Sequence, residues 1–504
     1  MVADPQPDAA GHRHSALLWG LLLGSSTLYF FSINEADNDL WGHLFFGREI
    51  LATATVATRD AYAYTTAGLA WVNHEWLSQL LLAFIYQLSG APGLLVLKFS
   101  IAAATFALLL SVARMRTQHA FIWGSVGLVS VAVLARGFAV RPQMWTYLGL
   151  ALTLAVLDLQ QRGYRRVIWV LPPVCAVWAN LHGGVALGLA VLTLFAAARW
   201  IGGERALQPW VAVIAATALS ALNPNGPRLL AYIWGELSRA HPITEWAPAA
   251  ASDASQFVFF AMLGLFVITV PVATQWRSRG WEIVLALATG VLAARHQRHT
   301  PVFALCAAAP LTAQLDAAVR WVGQRSSVAL SDGARRVINL ALVVLAVLQI
   351  ALTAQRWHRN GLQIVFDPSE YPTAAVAALR RAGVQANLAV PLDWGEYALW
   401  FLAPRVKVSL DGRFATLFSE QVVEDNFAFF SGSVRWRRLL DAYPTDAALV
   451  PVGSACPVQS LPDWRLVFDS PVARVYGRIG SPAWPALQRL KQAASDHKVG
   501  GFFP

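Results

Sequence analysis

Residues 92–112 read PGLLVLKFSIAAATFALLLSV, a stretch in which Lys98 is the only charged residue. An α-helix needs about 20 predominantly apolar residues to cross the hydrocarbon core of a bilayer, and this stretch meets that requirement. Ten further apolar stretches lie near residues 15–33, 118–135, 143–160, 166–180, 183–199, 207–222, 256–274, 280–294, 300–316 and 337–355. The sequence therefore predicts a mainly α-helical, polytopic membrane protein with about 11 transmembrane helices.

The composition agrees with this fold class. Of the 504 residues, 56% are hydrophobic and 13% are charged, and the mean hydropathy is +0.47. Soluble domains carry about 25% charged residues. The net charge of +10 could suggest a nucleic-acid partner, but the basic residues form short clusters between apolar stretches. That pattern is typical of membrane topology, so we expect the lipid bilayer and no nucleic acid as a partner.

The basic clusters also predict the orientation. Arginines concentrate in alternate connections between the apolar stretches, at residues 114–116, 162–166, 199–205, 277–279 and 320–336. The positive-inside rule assigns these connections to the cytoplasm. The N-terminus is then inside, and the C-terminal part of the chain is outside. The stretch at 15–31 has no small-residue cleavage motif, so we interpret it as a retained signal anchor.

The chain is predicted to contain two domains. Residues 1–359 form a transmembrane domain, and its first outer loop, residues 34–76, carries two interfacial helices that are too short to span, at 40–51 and 76–88. Residues 360–504 form a small extracytoplasmic α/β domain, because short β-rich runs alternate there with helical patterns. The β-rich runs are residues 364–366, 387–390, 406–410, 447–452, 465–468 and 473–476.

The first outer loop holds five ionisable residues close to one helix end: Asp37, Asp39, His43, His74 and Glu75. Such groups at a membrane boundary must be solvated, paired or used. Asp37 and Asp39 have the chemistry of a general base beside a second, orienting carboxylate; the alternative is that they cap a helix beginning at residue 40. His43 follows Asp39 by one helical turn, so a divalent metal ion could be held by Asp39, His43 and Glu75.

A second set of polar residues lies on other predicted outer loops. Arginine offers a planar fork of donors that suits phosphate oxygens, although lipid headgroups attract it equally. The glycines and asparagines of these loops are explained most simply by their preference for turns. The candidate substrate-binding residues of this set are Arg141, Gln143, His182, Glu245, Arg295, His296 and Arg298.

The order of these motifs resembles a bacterial family of GT-C-fold membrane glycosyltransferase-like proteins. Its pattern is DxDxWWHL, WxxHEWL, RPQ, NxHGG, NPxG, a late arginine-rich outer loop, WGxY and DGR. The matching residues here are 37–44, 71–77, 141–143, 180–184, 223–226, 295–301, 394–397 and 411–413. One position departs from the pattern, since Gly42 stands where the family usually has a second tryptophan. A missing ring there would open the cavity or weaken stacking against a sugar.

The resemblance implies a sugar donor linked to a polyprenyl phosphate and transfer on the outer face of the bacterial cytoplasmic (inner) membrane. It implies a carboxylate of the first outer loop as the base. The expected function is an inverting glycosyltransferase in which Asp37 deprotonates an acceptor that is a glycan, a lipid or a protein. The alternative is a non-catalytic membrane subunit or a transporter of lipid-linked saccharides, although the inverted repeats common in transporters are not evident in the sequence.

Overall fold

The computed structural model of the protein describes residues 9–236, 246–323, 331–492 and 501–503. Two compact units are formed, and each takes two parts of the chain. The first unit is Met1–Asn34 with Leu95–Leu362, and the second is Glu35–Leu94 with Gln363–Pro504.

Helices dominate the described residues, and each predicted apolar stretch is helical. The α-helices are α1 (Ala9–Phe31), α2 (Leu40–Thr53), α3 (Trp76–Arg114), α4 (Ala120–Ala135), α5 (Gln143–Gln161), α6 (Leu171–Leu181), α7 (Val185–Ile201), α8 (Gln208–Ser220), α9 (Arg228–Glu236), α10 (Ala254–Thr269), α11 (Trp276–Arg295), α12 (Thr300–Gly323), α13 (Asp332–Asn360), α14 (Thr373–Arg381), α15 (Leu392–Leu402), α16 (Glu420–Ser431), α17 (Arg438–Ala442) and α18 (Trp484–Gln488).

Within the described residues, three helical segments are long and apolar enough to cross a membrane: Trp76–Arg114, Gln297–Gly323 and Gly333–Asn360. Four shorter apolar helices are Ala120–Ala135, Val185–Ile201, Gln208–Ser220 and Gln256–Val272. The number of crossings therefore stays a prediction.

The helix α3 joins two segments that the sequence analysis treats separately, the interfacial helix at 76–88 and the span at 92–112. The helix is interrupted at Gly90, which has φ 62° and ψ −154°. Glycine adopts this conformation without a Cβ penalty, and Pro92 lacks the amide hydrogen that a continuous helix would use. The boundary between the two units falls just after this break, at residues 94 and 95.

The first unit is a helical bundle. The helix α1 packs against α4 and α13, and α12 packs against α4, α10 and α11. Two serines inside the bundle share one acceptor: Ser25 and Ser26 donate to Gln349 Oε1 at 2.8 and 3.0 Å. Lys98, the charged residue of the stretch at 92–112, is 1% exposed and donates to the Ile33 carbonyl and to Asn34 Oδ1.

Three of the predicted cytoplasmic clusters meet in a buried network of five side chains, which we call the arginine network. Arg116 Nη2 lies 2.7 Å from Asp158 Oδ1 and 2.9 Å from Glu282 Oε1. Arg279 Nη1 lies 2.8 Å from an oxygen of each acid, and Arg162 Nε lies 2.6 Å from Asp158 Oδ2. The network ties α5 and α11 to the residues that follow α3.

The second unit is built on a five-stranded sheet of order β2-β1-β3-β5-β4. The strands are β1 (Ala386–Ala389), β2 (Val406–Val408), β3 (Ala447–Pro451), β4 (Trp464–Asp469) and β5 (Ala473–Arg478). β1 is parallel to β2 and β3, whereas β5 is antiparallel to β3 and β4. Because α15 connects two parallel neighbours, its start and the residues after β2 lie at the same edge of the sheet.

The structure divides the chain differently from the domain prediction, because the loop at 34–76 belongs to the unit with the sheet. Glu35 bridges Val365, and Ala63 bridges Val408 of β2. Trp41 on α2 is fully buried in an aromatic cluster, which removes a large apolar surface from water. Its ring neighbours are Phe366, Tyr371, Tyr397, Trp400, Phe401 and Phe503.

Candidate functional site

Asp37 and Asp39 form the entry to α2. The Asp39 amide donates to Asp37 Oδ1 at 3.0 Å, and the Leu40 amide donates to the Asp37 carbonyl at 3.0 Å. Asp39 occupies the N-cap position, but its side chain makes no capping hydrogen bond. Helix capping therefore does not explain why an aspartate stands at position 39. The Asp37 carboxylate is oriented by its hydrogen bond with the Asp39 amide.

His43, His74 and Glu75 come together although His43 lies on α2 and the other two residues immediately precede α3. Glu75 lies between the two imidazoles: its Oε2 is 3.9 Å from His43 Nδ1, and its Oε1 is 3.6 Å from His74 Nε2. His43 is 8% exposed. A carboxylate between two histidines can orient both rings and stabilise their charged forms.

The candidate metal ligands do not form a ligand set in this geometry. Among the described residues, no group of three or more histidine, cysteine, aspartate or glutamate side chains is placed to hold a metal ion. Asp39, His43 and Glu75 therefore do not form a three-residue ligand set, although His43 and Glu75 contact each other.

Glu396 lies within the WGxY stretch at 394–397 but was not among the predicted site residues. The Gly42 amide on α2 donates to Glu396 Oε2 at 3.0 Å, and Glu396 is 5% exposed. A Cβ atom on Gly42 would overlap the Glu396 carboxyl group. The expectation that the missing ring at position 42 opens the cavity is therefore wrong, because the space beside Gly42 is filled by a carboxyl group.

Two more glycines let Glu396 take this position. A Cβ on Gly395 would overlap the Leu410 carbonyl, so glycine lets α15 approach the loop after β2 closely. A Cβ on Gly412 would lie 2.6 Å from Glu396 Oε1 and 2.8 Å from Asp39 Oδ1. The glycines of the WGxY and DGR motifs were the available signal, since each permits a close approach that a side chain would prevent.

The acidic groups around α15 have shifted proton affinities. Burial, together with the charges of Asp39 and Asp411, raises the pKa of Glu396 well above its usual range. Burial and the charge of Asp39 likewise raise the pKa of Asp393. Both shifts favour the neutral acid.

Arg413 is the centre of a second buried group, which we call the Arg413 cluster (Asp60, Asp411 and Arg413). Its guanidinium binds both oxygens of Asp411, at 2.9 and 2.7 Å, and donates to Asp60 Oδ1 at 2.7 Å. Its Cζ atom also lies 4.8 Å from the Trp71 ring centre and 4.9 Å from that of Phe46. Arg413 is thus committed to internal partners and holds the loop at 60–71 against the loop after β2.

The remaining predicted residues belong to the first unit. His182 follows α6, and its Nδ1 accepts the Gly184 amide at 2.9 Å and contacts Thr146 Oγ1 at 2.7 Å. Because Nδ1 accepts a hydrogen bond from the Gly184 amide, the Nε2 atom carries the hydrogen when the ring is neutral. Arg141 and Gln143 lie where the chain enters α5.

Trp246 organises the late arginine-rich loop and was not expected to do so. Its ring lies 4.7 Å from the Arg298 guanidinium, and its carbonyl contacts His296 Nδ1 at 2.8 Å. Arg295 ends α11 immediately before this group. Glu245 lies outside the described residues.

No protein-family model and no curated protein matches the chain. Solved structures do match. The archaeal oligosaccharyltransferase AglB from Archaeoglobus fulgidus, in complex with an inhibitory peptide and a dolichol-phosphate, is 9% identical with a TM-score of 0.60, over 86% of this chain and 69% of that chain. ArnT from Cupriavidus metallidurans, bound to undecaprenyl phosphate, is 11% identical with a TM-score of 0.53, over 92% of this chain and 98% of that chain.

The chain has the GT-C fold. The apo form of the Archaeoglobus fulgidus oligosaccharyltransferase gives the same result, with a TM-score of 0.61 at 9% identity over 88% of this chain and 70% of that chain. The predicted fold class, a mainly α-helical GT-C-like membrane protein with a small C-terminal α/β domain, is confirmed. At these identities the likeness concerns the fold.

Proposed function

We propose that this protein is a membrane glycosyltransferase that moves a sugar from a polyprenyl-phosphate-linked donor to an acceptor. The observation that carries the proposal is the GT-C fold shared with ArnT bound to undecaprenyl phosphate over 92% of this chain. AglB in complex with a dolichol-phosphate supports the same class of donor. The reaction would take place on the outer face of the bacterial cytoplasmic membrane, with the C-terminal domain outside.

In the proposed reaction, Asp37 removes the proton of an acceptor hydroxyl. The acceptor atom forms a bond to the anomeric carbon while the bond from that carbon to the phosphate oxygen breaks. Polyprenyl phosphate leaves with the bonding electron pair, and the anomeric configuration inverts. General-base assistance of this kind contributes about 10²–10⁴-fold to the rate.

The other candidate residues receive supporting roles in the proposal. Asp39 orients Asp37 or the acceptor, and His43, His74 and Glu75 bind sugar hydroxyls. Arg141, Arg295 and Arg298 would neutralise the phosphate of the leaving group, because developing charge is stabilised best by donors fixed in advance. Gln143, His182, Glu245 and His296 are assigned to substrate binding.

The test uses purified protein in detergent with a panel of polyprenyl-phosphate-linked sugars, and released polyprenyl phosphate is measured by mass spectrometry. We expect release by the wild type and a loss of about 10²–10⁴-fold in Asp37→Asn, because the amide cannot accept the proton. The matched control is Asp441→Asn, which changes an exposed aspartate of the same unit. Both variants should elute from size exclusion as the wild type does.

Two outcomes would contradict the proposal. Full activity in Asp37→Asn would remove Asp37 as the base. Binding of the lipid-linked sugar without release, across a range of acceptors and divalent metals, would favour a transporter or a non-catalytic subunit.

A further inference from the structure

The arginine network borders a cavity inside the helical bundle of the first unit. This cavity, which we call the Trp281 cavity, has a volume of about 450 Å³. Its walls come mostly from α3, α5, α11 and α12, and apart from Arg116 and Glu282 the lining side chains are uncharged and mainly apolar. Residues 307–310 read AAAP, so one turn of α12 carries only small side chains and leaves room. Ligand sites are typically about 300–1,000 Å³ and mostly apolar, so this cavity suits the hydrocarbon part of a ligand.

A second cavity adjoins the first on the side of the network. It has a volume of about 340 Å³ and is also lined by Arg116 and Glu282. We call it the Arg279 cavity, because Arg279 lines it as well. Its lining includes Thr274 and Gln275, which are exposed in the connection between α10 and α11. The arginines therefore lie where an apolar cavity meets a polar one that reaches the protein surface.

The arginine network has a positive charge that its own acids do not neutralise. Its guanidinium groups belong to Arg116, Arg162 and Arg279, and its carboxylates belong to Asp158 and Glu282. Three cations thus face two anions. An uncompensated cation beside apolar walls attracts an anion strongly, because the surroundings screen the charge less than water does. The cavities are therefore complementary to a ligand with an apolar chain and one net negative charge.

Two buried donors on the lining residues point to the same kind of ligand. Arg116 uses Nη2 for both acids, while its Nε is buried without a hydrogen-bond partner in the described part of the chain. Trp281 Nε1 is buried in the same way. Both side chains are about 95% buried, at 5% exposure each. Buried donors in native proteins are nearly always paired, and the phosphate and ester oxygens of a phospholipid are suitable acceptors.

We propose that the first unit binds an acidic phospholipid at its predicted cytoplasmic end, with an acyl chain in the Trp281 cavity and the phosphate on Arg116 and Arg279. The occupant is a bilayer lipid with one net negative charge, such as phosphatidylglycerol. A zwitterionic lipid fits less well, because its ammonium group would repel the arginines. Basic pockets between membrane helices on the cytoplasmic side bind acidic headgroups in this way. The inference uses none of the residues assigned to sugar transfer and does not depend on that assignment.

One substitution removes the charge surplus without leaving a buried acid unpaired. In Arg279→Gln, Asp158 still contacts two arginines and Glu282 still contacts one. The network would then be neutral, and its preference for an anion should disappear. The matched control is Arg277→Gln, which changes an exposed arginine of the same helix outside the network.

The experiment is native mass spectrometry of the full chain, delipidated in detergent and titrated with phosphatidylglycerol or with phosphatidylcholine of the same acyl chains. The wild type should bind one phosphatidylglycerol at least about tenfold more tightly than phosphatidylcholine, as expected for hydrogen bonds to a charged group. Arg279→Gln should bind the two lipids equally, and Arg277→Gln should keep the preference. Size exclusion verifies that each variant is folded.

The position of the acyl chain is tested by narrowing the Trp281 cavity. Ala309 lines this cavity, and Ala309→Leu fills part of it without changing the network. Phosphatidylglycerol binding should weaken by about tenfold or more, because several methylene groups lose their apolar surroundings. The control is Ala318→Leu, at a half-buried position of the same helix that lines neither cavity, and its affinity should match the wild type.

Four results would overturn the proposal. Equal affinity of the wild type for the two phospholipids, or an unchanged preference in Arg279→Gln, would remove the headgroup contact. Normal phosphatidylglycerol binding by Ala309→Leu would remove the acyl chain from the Trp281 cavity. Displacement of phosphatidylglycerol by inorganic phosphate at equal concentration would make a free anion the occupant. Displacement by a lower concentration of undecaprenyl phosphate would assign the cavities to the lipid of the proposed reaction instead.

Discussion

The two buried charge groups of this protein are built in opposite ways. The arginine network of the first unit joins three arginines to two acids, Asp158 and Glu282. The Arg413 cluster of the second unit joins one arginine to Asp60 and Asp411, with Glu396 and Asp39 beside it. A group with enough cations for its acids can serve as a structural tie. Burial together with a surplus of acids raises the pKa of Glu396, and shifted proton affinities are typical of reactive sites.

The largest effect is expected when the single cation of the second group is removed. Arg413→Met should destabilise the protein by about 4–5 kcal/mol, because Asp60 and Asp411 would both remain buried without their partner. Thermal unfolding in detergent, followed by size exclusion, measures the loss. The control Arg405→Met changes an exposed arginine of the same unit and should stay within about 0.5 kcal/mol.

A small loss in Arg413→Met would break the comparison. It would mean that the two aspartates reach water or take up protons easily, and that the surplus of acids does not constrain Glu396.

Removing an acid should lower the stability of the protein when the acid belongs to the arginine network, and should raise it at high pH when the acid is Glu396. Asp158→Asn should destabilise by about 3 kcal/mol, since Arg116, Arg162 and Arg279 all contact this carboxylate and an amide oxygen compensates only in part. Neutralising Glu396 should instead favour stability at high pH. The control is Glu204→Gln, a surface acid paired with Arg199, for which a loss of about 0–1 kcal/mol is expected.

This contrast is checked by comparing the Tm of Asp158→Asn and Glu396→Gln at pH 6 and pH 9. If both substitutions destabilise equally at pH 9, the two groups do not differ as described, and Glu396 is an ordinary buried ion.

Much of the fold follows from local sequence. Apolar stretches of sufficient length predict the helices, because their burial in lipid or in a bundle needs no particular partner. Five of the six β-rich runs form strands, whereas the run at 364–366 makes only isolated bridges, to Glu35 and Phe502. That run pairs with chain segments far away in sequence, which no local pattern records.

The candidate site was predictable where its residues are close in sequence or share a helix turn. Asp37, Asp39 and His43 are found in this way, and the Glu75 contact follows from the second helix start. Glu396 lies 354 residues from the amide that it accepts, and no local pattern records a pairing over that distance. The grouping of the loop at 34–76 with the sheet has the same cause, because the aromatic partners of Trp41 follow residue 363.

The smallest effect tests whether glycine at position 42 exists to admit Glu396. Alanine is the better helix former by about 1 kcal/mol, so a glycine inside α2 needs a compensating reason. Gly42→Ala should nevertheless destabilise by about 1–2 kcal/mol, because its methyl group would displace the Glu396 carboxyl.

The same change in the Glu396→Ala background should be neutral or stabilising, since the space is then empty. This gives a coupling of at least about 1 kcal/mol in a double-mutant cycle measured by thermal unfolding. Gly20→Ala is the matched control, because Gly20 is also helical and a Cβ there meets no atom within 4 Å. Additive effects of Gly42→Ala and Glu396→Ala would show that Gly42 is not kept for Glu396. The acid surplus would then be independent of the glycine at position 42.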